Sequence, residues 1–125
     1  MNKVEHNIKL NTSKKLAKQI SNLILEKKAL DIQIIDVGDI TTLTDFFIIC
    51  TSESEPQTKA ITDHINENMK SIGFNSWHTE GYQNKDWVLI DFVNIVVHIF
   101  SKNARSFYEF ERLWADGNIE YIKDK

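Results

Sequence analysis

The 125-residue chain has one cysteine, one proline and four glycines. Cys50 alone can form no intramolecular disulfide and no cysteine-rich zinc site. The sequence has no Gly-rich phosphate loop, no Gly-x-Ser-x-Gly elbow and no pair of histidines at metal-binding spacing. No apolar run approaches the roughly 20 residues that span a membrane, and residues 1–10 are polar, without the apolar centre of a secretory signal. A large excess of charge is missing too. The net charge of −3 argues against broad electrostatic capture of nucleic acid, while leaving room for a local basic patch. The expectation is a cytoplasmic protein with no membrane span and no cofactor.

What remains is an ordinary globular composition, 42% hydrophobic and 26% charged. The length suits one domain over 1–125, with its core at about 12–117, a short polar N-terminal extension and a frayed tail from Asn118 onward. Asn11 or Thr12 can cap a first helix in which Leu16, Ile20, Leu23 and Ile24 share a face, ending near Leu30. Its Lys14, Lys15, Lys18, Lys27 and Lys28 read as a solvated face rather than a site for RNA or an acidic partner. Residues 32–37 and 46–50 read as strands, separated by a Gly38-Asp39 turn and a polar loop. Ser54-Glu55-Pro56-Gln57 is a capping box with proline in the first turn. It opens a helix on which Ile61, Ile65, Met69 and Ile72 repeat until Gly73.

Residues 74–80 read as another strand, and 87–92 and 94–100 as a hairpin rich in β-branched and aromatic side chains. Both faces of that hairpin are apolar, so either both are covered or a partner covers one. Its link, Phe92-Val93-Asn94, lacks the Asn-Gly or Asp-Gly of tight turns and places an apolar pair where exposure is expected. Ser101 or Asn103 caps a last helix with Ala104, Phe107, Tyr108 and Trp114 along one side and Gly117 as its stop. The expected fold is α/β (α+β-like): a mixed five-stranded sheet flanked by helices. Strand 46–50, helix 55–72 and strand 74–80 form one crossover, and the later strands pair antiparallel.

Two constellations carry possible chemistry. Cys50 and His98 are a conceivable nucleophile and base, but the preferred reading is a small apolar residue and a hydrogen-bonded strand histidine. Asp36, Asp39 and Asp45 lie near strand ends and could hold magnesium for a nucleotide-binding or nucleotidyl-transferring enzyme. Turns and caps also use such residues, and that reading is preferred.

Seven segments in order bear a closer likeness. They are DIQIIDV at 31–37, TDFFIIC at 44–50, Gln57-x-x-Ala60-Ile61, Glu80-Gly81, WVLID at 87–91, VVHIF at 96–100 and Arg105-x-x-Tyr108-x-x-Glu111-x-Leu113-Trp114. Over residues 15–116 the chain resembles the ribosomal silencing factor family, RsfS, also called Iojap. The resemblance implies a nucleotidyltransferase-like fold without the catalytic signature, and a non-enzymatic protein. It implies binding to the large ribosomal subunit through ribosomal protein fourteen, which blocks joining of the small subunit and represses translation when nutrients are short. A minor ribosomal RNA contact and a homodimer when unbound are compatible with it.

Carried onto this chain, the family's partner-facing surface comprises Trp87 and the turn residues Asp91, Phe92, Val93 and Asn94. Large aromatic anchors of this kind make interface hot spots. Glu80 and Asp91 are expected to meet basic residues of the partner. Asp45, Arg105 and Glu111 are secondary candidates, the last two as an ion pair. Many relatives carry Tyr-Gly-Asp where this chain has Phe92-Val93-Asn94, and Ser-Gly-x-Ser where it has a glycine-free loop after Cys50.

Overall fold

The computed structural model describes residues 3–123. A long first helix, α1 (Lys3–Glu26), precedes strands β1 (Leu30–Asp36) and β2 (Phe46–Ser52), and helix α2 (Glu55–Ser71) follows them. Strand β3 (His78–Glu80) and the hairpin β4 (Trp87–Asp91) and β5 (Ile95–Ser101) come next. Two short helices, α3 (Lys102–Tyr108) and α4 (Phe110–Leu113), lead into a last strand, β6 (Asn118–Ile122).

Local chemistry explains the boundaries of α2. The Ser54 hydroxyl accepts from the Gln57 N–H at 3.1 Å, and the Gln57 Oε1 accepts from the Glu53 N–H at 2.7 Å, so otherwise orphaned donors of the first turn are satisfied. The Gln57 side-chain amide also donates to the Lys27 carbonyl at 3.0 Å, tying the start of α2 to the end of α1. At the far end Gly73 adopts φ 81, the left-handed conformation that closes helices at low cost.

The six strands form one sheet in the order β3-β4-β5-β2-β1-β6. Every pairing is antiparallel except β2 with β5. Strand alternation then divides the side chains between two layers. One face carries Ile34, Ile48, Ile90 and Val97 against Ile20, Ile24, Ile61 and Ile65 of α1 and α2. Burying each such side chain stabilises the fold by about 1.5–3 kcal/mol, so this layer is the main core. The other face carries Ile35, Phe47, Ile49 and Phe100, covered only by Ala104, Phe110 and neighbouring residues of α3 and α4.

Several expectations are corrected. The sheet has six strands, not five, because residues 118–122 form β6 against β1 rather than a frayed tail; the end of that tail, 124–125, lies outside the described residues. Gly117 permits this return: a Cβ there would meet the Asp36 carbonyl oxygen at 2.6 Å. Asn11 and Thr12 lie inside α1 and do not cap it. The strand that follows α2 covers only 78–80, and β2 pairs in parallel with β5 instead, so the crossover spans α2 and the β3-β4 hairpin. The last helix breaks at Glu109, a non-glycine residue at φ 48, and α3 docks through Ala104 and Arg105, leaving Phe107 80% exposed rather than in the core. Lys14, Lys15, Lys18, Lys27 and Lys28 are exposed, as expected of a solvated face, and Lys18 forms a surface pair with Glu120 at 3.1 Å.

Candidate docking surface

Because α3 and α4 cover only part of the second face, the rest stays open over β5, β4 and β3. There it forms a cleft of about 470 Å³ with Phe47, Leu89, Val96 and His98 among its lining residues. Three large apolar residues at this cleft project into solvent: Leu43 at 84%, Trp77 at 73% and Val93 at 56% exposure. Glu80, Asp91 and His78 also line it, and the His78 Nε2 lies 3.2 Å from Glu80. An apolar patch edged by acids is the chemistry of a docking surface, since isolated exposed hydrophobics are common but clustered ones are not.

Trp87 joins this cleft to the helix-covered part of the face. Its ring packs against Phe100 at 4.8 Å and Tyr108 at 4.9 Å, and its Nε1–H donates to the His98 Nδ1 at 3.0 Å. His98 also lies 4.3 Å from the Phe110 ring, and burial pushes its pKa down to about 3. The ring is therefore neutral at physiological pH. Trp87 is only half-buried, so it serves both as packing and as available surface.

The hairpin tip is built from strain. Val93 has φ 74, a region β-branched residues rarely enter, and the Asn94 N–H donates to the Phe92 carbonyl at 3.0 Å in a γ-turn. The Asp91 carboxylate accepts from the Val93 N–H at 2.6 Å and holds the turn in place. Glycine at this position would adopt the same backbone without strain. Gly81 is needed nearby for a different reason: at φ 77, a Cβ would stand 2.1 Å from the Trp87 carbonyl oxygen.

Of the residues expected at the partner surface, Glu80, Trp87, Asp91 and Val93 share the open face or its rim. Phe92 does not. It is 4% exposed, stacks on Phe74 at 5.4 Å and belongs to the helix-covered core, because strand alternation sends it to the opposite side from Asp91. Asn94 acts through its backbone, its carbonyl accepting from the Asp45 and Phe46 N–H groups at 3.1 and 3.2 Å. Asp45 thus sits beside the hairpin tip.

Arg105 and Glu111 belong to a separate polar cleft. The Arg105 Nε donates to Glu111 at 3.4 Å, and its Nη1 donates to the Asp31 carbonyl at 2.6 Å and the Thr51 hydroxyl at 2.8 Å. Asp36 and Asp45 each lie close to Gly38, at the opposite end of the parallel pair from the carboxyl ends where α/β sheets bind ligands. Among the described residues no cluster of three or more His, Cys, Asp or Glu is placed to hold a metal. Cys50 lies in the helix-side core and His98 on the opposite face, so they cannot pair; burial raises the thiol pKa to about 12.

Leu43, Thr44 and Trp77 are members of the surface that periodicity does not single out. Leu43 carries a faint signal, as a lone large aliphatic in the polar run Thr41-Thr42-Leu43-Thr44. Trp77 carries none, because it precedes a strand of only three residues.

Fold and surface together define an α/β domain whose sheet bears two long helices on one face and an aromatic, acid-edged cleft on the other. The family model described as ribosomal silencing factor during starvation matches residues 10–125. A ribosomal silencing factor from Halalkalibacterium halodurans is 37% identical over 95 residues, covering 76% of this chain and 81% of the relative. One from Bacillus subtilis is 37% identical over 94 residues, covering 75% and 80%. A crystal structure from Chromobacterium violaceum matches with a TM-score of 0.80 at 26% identity, covering 89% of this chain and 92% of that one. The chain belongs to the ribosomal silencing factor family.

Proposed function

We propose that this protein is a cytoplasmic translational repressor that binds the large ribosomal subunit through ribosomal protein fourteen and blocks joining of the small subunit. The observation that carries the reading is the open cleft, where Leu43, Trp77 and Val93 stand exposed beside Glu80 and Asp91. Buried aromatic and aliphatic anchors would supply most of the affinity, and the acids would steer and orient a basic partner. Repression follows from position: a domain seated on the joining face excludes the small subunit without chemistry of its own.

Co-sedimentation with purified large subunits, and with small subunits as the control, tests the reading. The expected result is association with the large subunit alone and a reduced yield of joined subunits. Absence of the wild-type protein from the large-subunit fraction overturns it.

A further inference from the structure

The cleft is apolar, yet two of the residues lining it each carry a buried, unpartnered hydrogen-bonding atom: the Thr44 Oγ1 and the His98 Nε2. Thr44 is 6% exposed and His98 3%. The state of the histidine follows from its neighbour. An indole N–H can only donate, so the His98 Nδ1 that receives it from Trp87 carries no proton. In the neutral ring the proton is then on Nε2, which makes that atom a donor. A buried donor left unsatisfied is costly and uncommon in folded proteins. Six buried side-chain nitrogen or oxygen atoms lack a partner among the described residues, three of them able to donate, and these two belong to the one cleft that the exposed anchors surround.

We propose that the His98 Nε2–H and the Thr44 hydroxyl are two polar recognition points of the cleft, each receiving an uncharged acceptor group of the docking partner, a main-chain carbonyl or a side-chain amide. The inference rests on the large-subunit reading above and adds a specificity determinant to it. An uncharged acceptor is favoured over a carboxylate because Glu80 and Asp91 flank the same cleft. Basic groups beside that acceptor would meet these acids. Neither recognition atom is exposed in the free protein, so docking includes side-chain adjustment at the rim, where Leu43 and Trp77 are exposed. Trp87 acts as a positioning residue: its N–H holds the histidine in the donating tautomer.

Two isosteres separate this role from simple packing. His98→Gln places an amide N–H near the Nε2 position, whereas His98→Asn keeps an acceptor for Trp87 but removes the donor. Titrating each against purified large subunits, at equal folded concentration, should leave the Gln variant within about threefold of wild type and weaken the Asn variant at least about tenfold. The reverse order assigns His98 to holding Trp87 and overturns the proposal, as does equal binding by both. Thr44→Val is the second probe, since it is nearly isosteric and removes an unsatisfied hydroxyl. Its melting temperature should stay level or rise while its affinity falls severalfold; unchanged affinity removes Thr44 from the pair, and it decides the question if both His98 variants fail to fold. If the wild type itself does not bind large subunits, the docking reading fails first. Binding by the wild type with no ranking among the variants defeats only the recognition pair.

Discussion

The two faces of the sheet use similar residues to opposite ends. On the helix side, Ile48, Ile90 and Ile65 are fully enclosed. On the other side, short helices cover only part of the surface, and aromatic residues, acids and two residues with unpartnered polar atoms collect in what is left. One face is finished within the chain; the other is left partly open, and it is the face proposed to dock. Strand alternation alone therefore separates residues that hold the fold from residues available for binding, even when they are adjacent as Asp91 and Phe92 are.

Adjacent residues also give the sharpest ways to break this comparison. Phe92→Ala should cost the most stability, about 3 kcal/mol, because it opens a cavity under Phe74, and chemical denaturation measures it. Large-subunit affinity per folded molecule should barely move. Trp87→Ala should cost somewhat less, about 2 kcal/mol, since the ring is half-buried, and it should also weaken binding because it releases His98. A change confined to one of those two readouts would contradict its bridging position.

Acid should separate the faces next. His98 has a folded pKa near 3, below its usual 6.5, because burial opposes its charge. Between those values the unfolded chain takes up a proton that the folded one refuses, so this contribution is complete above pH 6.5 and is lost as pH falls toward 3. The slope approaches one proton, up to about 1.4 kcal/mol per pH unit, and His98→Gln should flatten it in urea titrations across this window. The smallest effect belongs to Val93→Gly. Relief of the positive φ should outweigh the added freedom of the unfolded chain, giving a net gain of about 0.5–1 kcal/mol. Affinity should fall modestly as an exposed apolar contact is lost.

Much of this architecture is legible in the sequence where one local rule suffices. Ser54 to Gln57 reads as a helix start because the cap is a contact between near neighbours, and β2 and β5 read as strands because their β-branched runs are unambiguous. What escapes depends on contacts distant in sequence. Residues 118–122 become a strand only because β1 has an open edge beside them, and nothing in NIEYI announces that. Phe107 stays outside the core because α3 docks through Ala104 and Arg105, and the left-handed Glu109 then breaks the repeat that would carry one stripe from Ala104 to Trp114. At the surface, the family likeness marks Trp87, Asp91 and Val93, whereas Trp77 depends on its N–H donating to the Asp91 carbonyl at 2.7 Å. Phe92 shows the converse, since a residue at a turn is not thereby exposed.

The most direct test of the account pairs Trp77→Ala with Phe92→Ala in equilibrium co-sedimentation with purified large subunits, scaled to the folded fraction of each. Trp77 projects from the open face and Phe92 from the closed one. Trp77→Ala should lose about thirtyfold or more in affinity with stability within about 0.5 kcal/mol of wild type, while Phe92→Ala should bind normally once folded. Wild-type binding by Trp77→Ala, or a loss confined to Phe92→Ala, would place the docking surface elsewhere.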